Sequence, residues 1–181
     1  MRKIIHFLVA CFGWKIDLNR PTHIKKGVVV MAPHTSNWDF VLGRLAFYTM
    51  GIKGRYLMKK EIFIFPLNIF LKALGAIPVD RHKNNNMVKQ VATLFEKTDT
   101  LFVVFTPEGT RDFNPNWRKG FYFIAQEARV PILLSYIDFS TKTCGFHSLF
   151  EPTGNVDQDI QKIKEILSVY KGRFPEKGII L

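Results

Sequence analysis

Cysteine is scarce in this chain, limited to Cys11 and Cys144, and neither lies in a spacing that pairs thiols or gathers metal ligands. That scarcity gives little support to a disulfide framework or a structural zinc site, and a reducing compartment is the simpler setting. No apolar run approaches the roughly 20 residues that a helix needs to cross a bilayer. There is no internal repeat, low-complexity tract or interdomain linker, and no small-residue cleavage site follows the first apolar run as a signal peptide would require. Acidic residues are sparse in the first half: residues 1–90 hold four Asp and Glu against fifteen Lys and Arg, whereas residues 91–181 hold eleven of each.

The net charge of +11 therefore sits in the first half, which predicts an anionic partner: nucleic acid, an anionic membrane or an acidic carrier protein. Seventeen phenylalanines lie mostly inside apolar runs, which suits core or lipid contact and gives no base-stacking platform, so nucleic acid is not expected. With 181 residues and 47% hydrophobic content the chain can bury one core, and a single domain is expected. Ile4 to Trp14 is a short apolar run flanked by Arg2, Lys3, Lys15, Arg20, Lys25 and Lys26. It reads either as an interfacial helix, with Phe7, Phe12 and Trp14 inserted among lipid headgroups, or as a first helix packed on the core.

Hydrophobic periodicity predicts strands at 27–32, 55–58, 76–79, 101–105, 130–139 and 144–150. Helices are expected at 40–50, 87–97, 119–129 and 156–170, with Asn84, Asn85 and Asn86 forming a turn. Glu61 to Leu74 reads as a helix or helical pair broken at Pro66, with an exposed apolar face. This alternation gives an α/β domain: a mainly parallel sheet flanked by helices, with ligands collecting at the carboxyl ends of the strands.

Three polar motifs begin where predicted strands stop. His34 and Asp39 would be about 140° apart on a continuous helix, so they meet only if His34 lies in a loop and Asp39 in the first helical turn. Ser36 and Asp39 have capping spacing that would fix such a start. An imidazole held this way is a general base near neutral pH; the alternative is an Asp that only caps its helix. Arg81 follows the 76–79 strand and could grip an anion or simply be a solvated strand end. Pro107 and Gly109 favour a turn that presents Glu108, Thr110 and Arg111, either as a phosphate grip or as a surface ion pair. Lys119 and Gly120 open the next helix and could add a charge and a backbone donor.

These motifs carry a family resemblance. His34 to Asp39, Gly75 to Arg81, Pro107 to Arg111 and Val130-Pro131-Ile132 occur in the order of the four blocks of the glycerolipid acyltransferases of the 1-acylglycerol-3-phosphate acyltransferase type, which the chain resembles over about residues 27–140. The resemblance implies direct transfer of an acyl group from a coenzyme A or acyl carrier protein thioester to a lyso-lipid hydroxyl. His34 would be the base and Asp39 its partner. Arg81, Glu108, Gly109, Thr110, Arg111, Lys119 and Gly120 would bind substrate, and the Val-Pro-Ile block would support an acyl pocket. Residues 1–26 would form a basic, membrane-contacting segment ahead of an acyltransferase domain at 27–181, placing the protein peripherally on the cytoplasmic membrane face. No metal or redox cofactor is expected. A length shorter than most glycerophosphate members leaves another lyso-lipid open as acceptor, including an amino-acid-containing one. A membrane-surface protein that kept the fold without the chemistry is the rival of another class.

Overall fold

Strand β2, Lys26–Met31, dictates the layering. Val28 and Val30 face one side of the sheet, Val29 and Met31 the other, and all four are buried, so both faces must be covered. The computed structural model describes residues 1–80 and 84–181, with the side chains of all but 84–86. Arg81 lies outside the described residues.

In chain order the elements are α1 (Arg2–Cys11), β1 (Lys15–Ile16), β2, α2 (Trp38–Met50), β3 (Gly54–Lys59), a single 3₁₀ turn at Lys60–Ile62, α3 (Leu67–Ala73), β4 (Ala76–Val79) and α4 (Asn84–Lys97). They continue with β5 (Leu101–Phe105), α5 (Gly120–Ala128), β6 (Ile132–Asp138), β7 (Thr143–Phe150), α6 (Val156–Leu167) and a second 3₁₀ turn at Pro175–Lys177. The strands form one sheet in the order β1-β7-β6-β2-β5-β3-β4. Every pairing is parallel except β6 with β7. The expected single α/β domain with a mainly parallel sheet is thus the architecture.

On one face, Val9 of α1 and Leu42, Ala46, Phe47 and Met50 of α2 pack over Val29 and Met31. On the other, Phe95 of α4, Phe121 and Ile124 of α5, and Ile160, Ile163 and Leu167 of α6 cover Val28 and Val30. The central register pairs Val30 with Phe105 and Met31 with Ser135. Strands β2 and β5 are therefore neighbours that end level, and the loops that follow them, 32–37 and 106–119, emerge side by side.

Some local expectations shift. The asparagine run is the first turn of α4, which starts three residues before the expected helix. Helix α6 stops at Leu167, and Tyr170 leaves its stripe to stack on Tyr136 with ring centroids 3.9 Å apart. Strand β1 had no sequence signal; two residues long, it pairs Ile16 with Cys144 at the sheet edge. Trp14 just before it turns inward, edge-on to Phe139 at 4.9 Å, whereas Phe7 and Phe12 stay exposed. Pro66 does break the 61–74 segment, sitting between the 3₁₀ turn and α3.

Helix α6 is tied to α5 by a buried polar lock. Tyr122 Oη donates to Asp159 Oδ2 at 2.6 Å and accepts from the Gly154 N–H at 2.9 Å. Asp159 also accepts from the Thr153 N–H and hydroxyl at 2.7 and 2.9 Å, so the lock has few spare partners. Tyr122→Phe is expected to cost about 2 kcal/mol, chiefly because an oxygen of the buried Asp159 loses its donor, whereas the exposed Gly154 N–H can turn to water. Urea unfolding should show a lower midpoint with an unchanged slope.

Candidate active site

Asp39 is the most heavily bonded side chain of the site and is 1% exposed. Its Oδ2 accepts from the Thr35 N–H at 2.8 Å, the Ser36 N–H at 2.9 Å and His34 Nδ1 at 3.0 Å; its Oδ1 accepts from the Ser36 hydroxyl at 3.1 Å. Ser36 Oγ in turn accepts from the Trp38 N–H at 3.2 Å. The 34–39 loop thus starts α2 and orients the imidazole with one carboxylate, an N-terminal capping arrangement with His34 added. Oδ2 can only accept, so Nδ1 carries the proton and neutral His34 keeps its lone pair on Nε2.

Glu108 reaches the same loop from the neighbouring strand end. Its Oε1 accepts the His34 backbone N–H at 3.0 Å, while Oε2 is buried without a hydrogen-bond partner among the described residues. Burial pushes the Glu108 carboxyl up to about 7, against smaller opposing effects from its own and the His34 N–H groups and from the imidazole. Gly109 has φ +67°, a backbone conformation that favours glycine, and a Cβ there would also push the Arg118 side chain aside.

A cavity of about 710 Å³ opens beside these groups. His34, Asn37, Asp39, Gly109 and Arg118 line its polar part, and Gly120 also borders it. Its far side is apolar, with Met31, Phe40, Phe47, Leu57, Met87, Val104, Phe105 and Phe121. Arg44 and Tyr56 add a polar point there, with Arg44 3.4 Å from the Gly54 carbonyl. The tyrosine hydroxyl is raised above its ordinary pKa by burial and held back by the Arg44 charge. Among the described residues no three His, Cys, Asp or Glu side chains converge as a metal site would require.

The other expected site residues divide. Arg111 swings across to the His34 loop, where its Nη1 donates to Asn37 Oδ1. Thr110 is exposed and accepts from the Asp112 N–H at 3.3 Å, serving its own turn. Lys119 faces away from the cavity and pairs with Asp157 on α6. Val130, Pro131 and Ile132 lie at the amino ends of the parallel strands, where the Pro131 carbonyl accepts the Val28 N–H at 3.1 Å. That block supports the sheet at the end opposite the His34 loop. Sequence reasoning missed Asn37, Arg44 and Arg118. Asn37 stands within the first motif and Arg118 adjoins Lys119, but nothing local distinguishes either as cavity lining.

A segment from outside these motifs closes over both loops. The Phe174 N–H donates to Thr35 Oγ1 at 3.3 Å, and Lys177 Nζ donates to Asp112 Oδ1 at 2.7 Å. Gly172 fits only without a side chain, because a Cβ there would come within 2.5 Å of Thr35 Oγ1.

A family model described as Acyltransferase matches residues 15–137. No curated protein matches. Among solved structures, the fold is similar to that of the 1-acyl-sn-glycerophosphate (LPA) acyltransferase from Thermotoga maritima, at 18% identity and a TM-score of 0.61, over 92% of this chain and 74% of that one.

The buried Glu108 makes stability depend on pH with a defined sign. The folded chain holds this proton more tightly than the unfolded chain, whose carboxyl titrates near 4.5, so the contribution is complete below about 4.5 and is lost as pH rises through about 7. Glu108→Gln keeps an acceptor for the His34 N–H and has no proton to lose. Urea unfolding at a series of pH values should show the variant gaining on the unmodified protein between those limits; parallel curves would remove the assignment.

Proposed function

The chain belongs to the acyltransferase family, and we propose that it moves a fatty acyl group from a coenzyme A or acyl carrier protein thioester to the hydroxyl of a lyso-lipid, foremost 1-acylglycerol-3-phosphate. The observation that carries this reading is the 3.0 Å contact between His34 Nδ1 and the buried Asp39, made at the edge of a cavity that is polar at one side and apolar over the rest. A fatty acyl chain needs such an apolar recess, and its thioester carbonyl must then lie near the base.

In the proposed reaction His34 Nε2 takes the proton of the acceptor hydroxyl as its oxygen attacks the thioester carbonyl carbon. The C–S bond breaks, and the leaving thiolate takes the proton back from the imidazolium. Asp39 stabilises that imidazolium and fixes the ring, because its remaining lone pairs are already engaged by the loop. Among the described residues no serine or cysteine is placed as a nucleophile beside the base, since the nearby Ser36 hydroxyl is spent on Asp39 and the Trp38 N–H, so both substrates meet in one complex. The atoms balance without a metal or redox cofactor. Arg111, held by Asn37 three residues beyond His34, is suited to a phosphate on the acceptor.

We further propose attachment to the surface of an anionic membrane through two exposed apolar segments. Ile4, Phe7, Leu8 and Phe12 project from α1 while its opposite side packs on α2. Ile64, Phe65, Ile69 and Phe70 project from the 62–74 segment, with Phe65 80% exposed, and Lys59, Lys60 and Lys72 flank them. Apolar groups bordered by lysines fit an interfacial element. Among the described residues no helix is long and apolar enough to cross a membrane.

His34→Ala is expected to lower kcat by about 100-fold or more with the fold intact, and Asp39→Asn to do much the same by disturbing the tautomer. Thiol release with lyso-lipid acceptors and both donor types measures this; full turnover in His34→Ala would remove the base. For attachment, Phe7→Ser with Phe12→Ser should reduce co-sedimentation with anionic vesicles, and adding Phe65→Ser with Phe70→Ser should abolish it. Undiminished sedimentation of the fourfold variant would overturn the surface.

A further inference from the structure

Residues 171–177 lie outside the stretch matched by the family model, yet they cross the mouth of the site. Lys171 and Arg173 are the exposed basic residues of this segment without an ion pair to a described carboxylate, and of the two Arg173 lies against the start of α2. Its guanidinium carbon sits 5.9 Å from the centroid of the Trp38 ring and 5.8 Å from that of Phe174. Both aromatic rings lie within cation–π distance of the guanidinium, a contact that places no hydrogen-bond acceptor on its N–H groups. Arg173 forms an ion pair with none of the described carboxylates, and Lys177, four residues on, spends its charge on Asp112.

Trp38 is preceded by Asn37, which holds Arg111 through a neutral amide. Arg111 and Arg173 thus engage adjacent residues at the start of α2, neither in an ion pair with a described carboxylate, just beyond the loop that carries His34. A pair of guanidiniums anchored by neutral partners in a site mouth is an anion receptor; had Asn37 or Trp38 been acidic, the pair would be internally satisfied.

We propose that Arg173, with Arg111, forms a two-guanidinium clamp for a substrate phosphate at the mouth of the site. The clamp rests on the acyl-transfer reading for its location but not for its chemistry. The phosphate has two possible sources: the acceptor headgroup, or the phosphopantetheine arm common to both thioester donors.

Arg173→Ala, Arg173→Lys and, as a charge control on the outer face of α6, Lys162→Ala are assayed in neutral detergent micelles. Matched lysophosphatidate and monoacylglycerol acceptors are compared, and the donor is varied separately. With the acceptor as source, Arg173→Ala lowers the lysophosphatidate to monoacylglycerol ratio of kcat/KM about tenfold, Arg173→Lys restores part of it, and Lys162→Ala does not move it. With the donor as source, donor KM rises about tenfold in Arg173→Ala while the acceptor ratio stays fixed. Calorimetric binding of a short-chain lysophosphatidate and of coenzyme A reads the same clamp without turnover, so it reports even if the protein transfers acyl groups to no lyso-lipid. The clamp is overturned if Arg173→Ala changes neither acceptor ratio, donor KM nor either affinity. It is equally overturned if Lys162→Ala reproduces the loss, or if the variant loses only binding to anionic vesicles.

Discussion

The site depends on one carboxylate with more donors than a surface acid could gather. Asp39 accepts two backbone N–H groups, a serine hydroxyl and an imidazole N–H from within five residues, and it is buried. The two backbone bonds fold the 34–36 turn tightly enough for His34 to reach back, and the same turn sets the direction of α2. Helix nucleation and ring orientation are therefore a single event: losing the carboxylate would free the imidazole and unsatisfy the helix start together. The site is also polarised, because Glu108 holds the same loop by the His34 N–H and leaves its second oxygen buried without a partner among the described residues.

A second constraint is the sheet register. Pairing of Val30 with Phe105 brings β2 and β5 to a common end, so residues over 70 positions apart in sequence meet within one hydrogen-bond length. The cavity extends between helix α2 and strands β3 and β5, which is why Phe47, Tyr56 and Val104 share it. The same arrangement explains the placing of the Val-Pro-Ile block. Parallel strands put everything that precedes β6 at the amino end, away from loops that follow β2 and β5.

Much of this was legible in the sequence for reasons that can be named. Strands buried on both faces read as continuous apolar runs, so β2, β5 and the polar residues at their ends stood out. The His34 to Asp39 spacing was readable because it excludes a shared helix face and thus demands a helix start between the two. What stayed hidden depends on tertiary paths. Lys119 goes to Asp157 because α6 passes beside it, Arg118 covers Gly109 because the 106–119 loop doubles back, and Trp14 finds Phe139 across the sheet edge. None of these partners leaves a periodic mark. The family resemblance tied Val130 to Ile132 to an acyl pocket, and only the register put the block at the sheet end opposite the His34 loop.

The bond from the Phe174 N–H to Thr35 Oγ1 spans 139 positions. The β2–β6 pairing and the backbone bond from Phe139 to Lys171 bring its two ends together, and it gains little until both are in place, so such a contact forms late. The central strands and their covering helices can acquire native secondary structure first, with the His34 turn still unbraced. In refolding, circular dichroism should recover before enzymatic competence does, and the interval between them measures how long the chain exists as a folded but inactive scaffold.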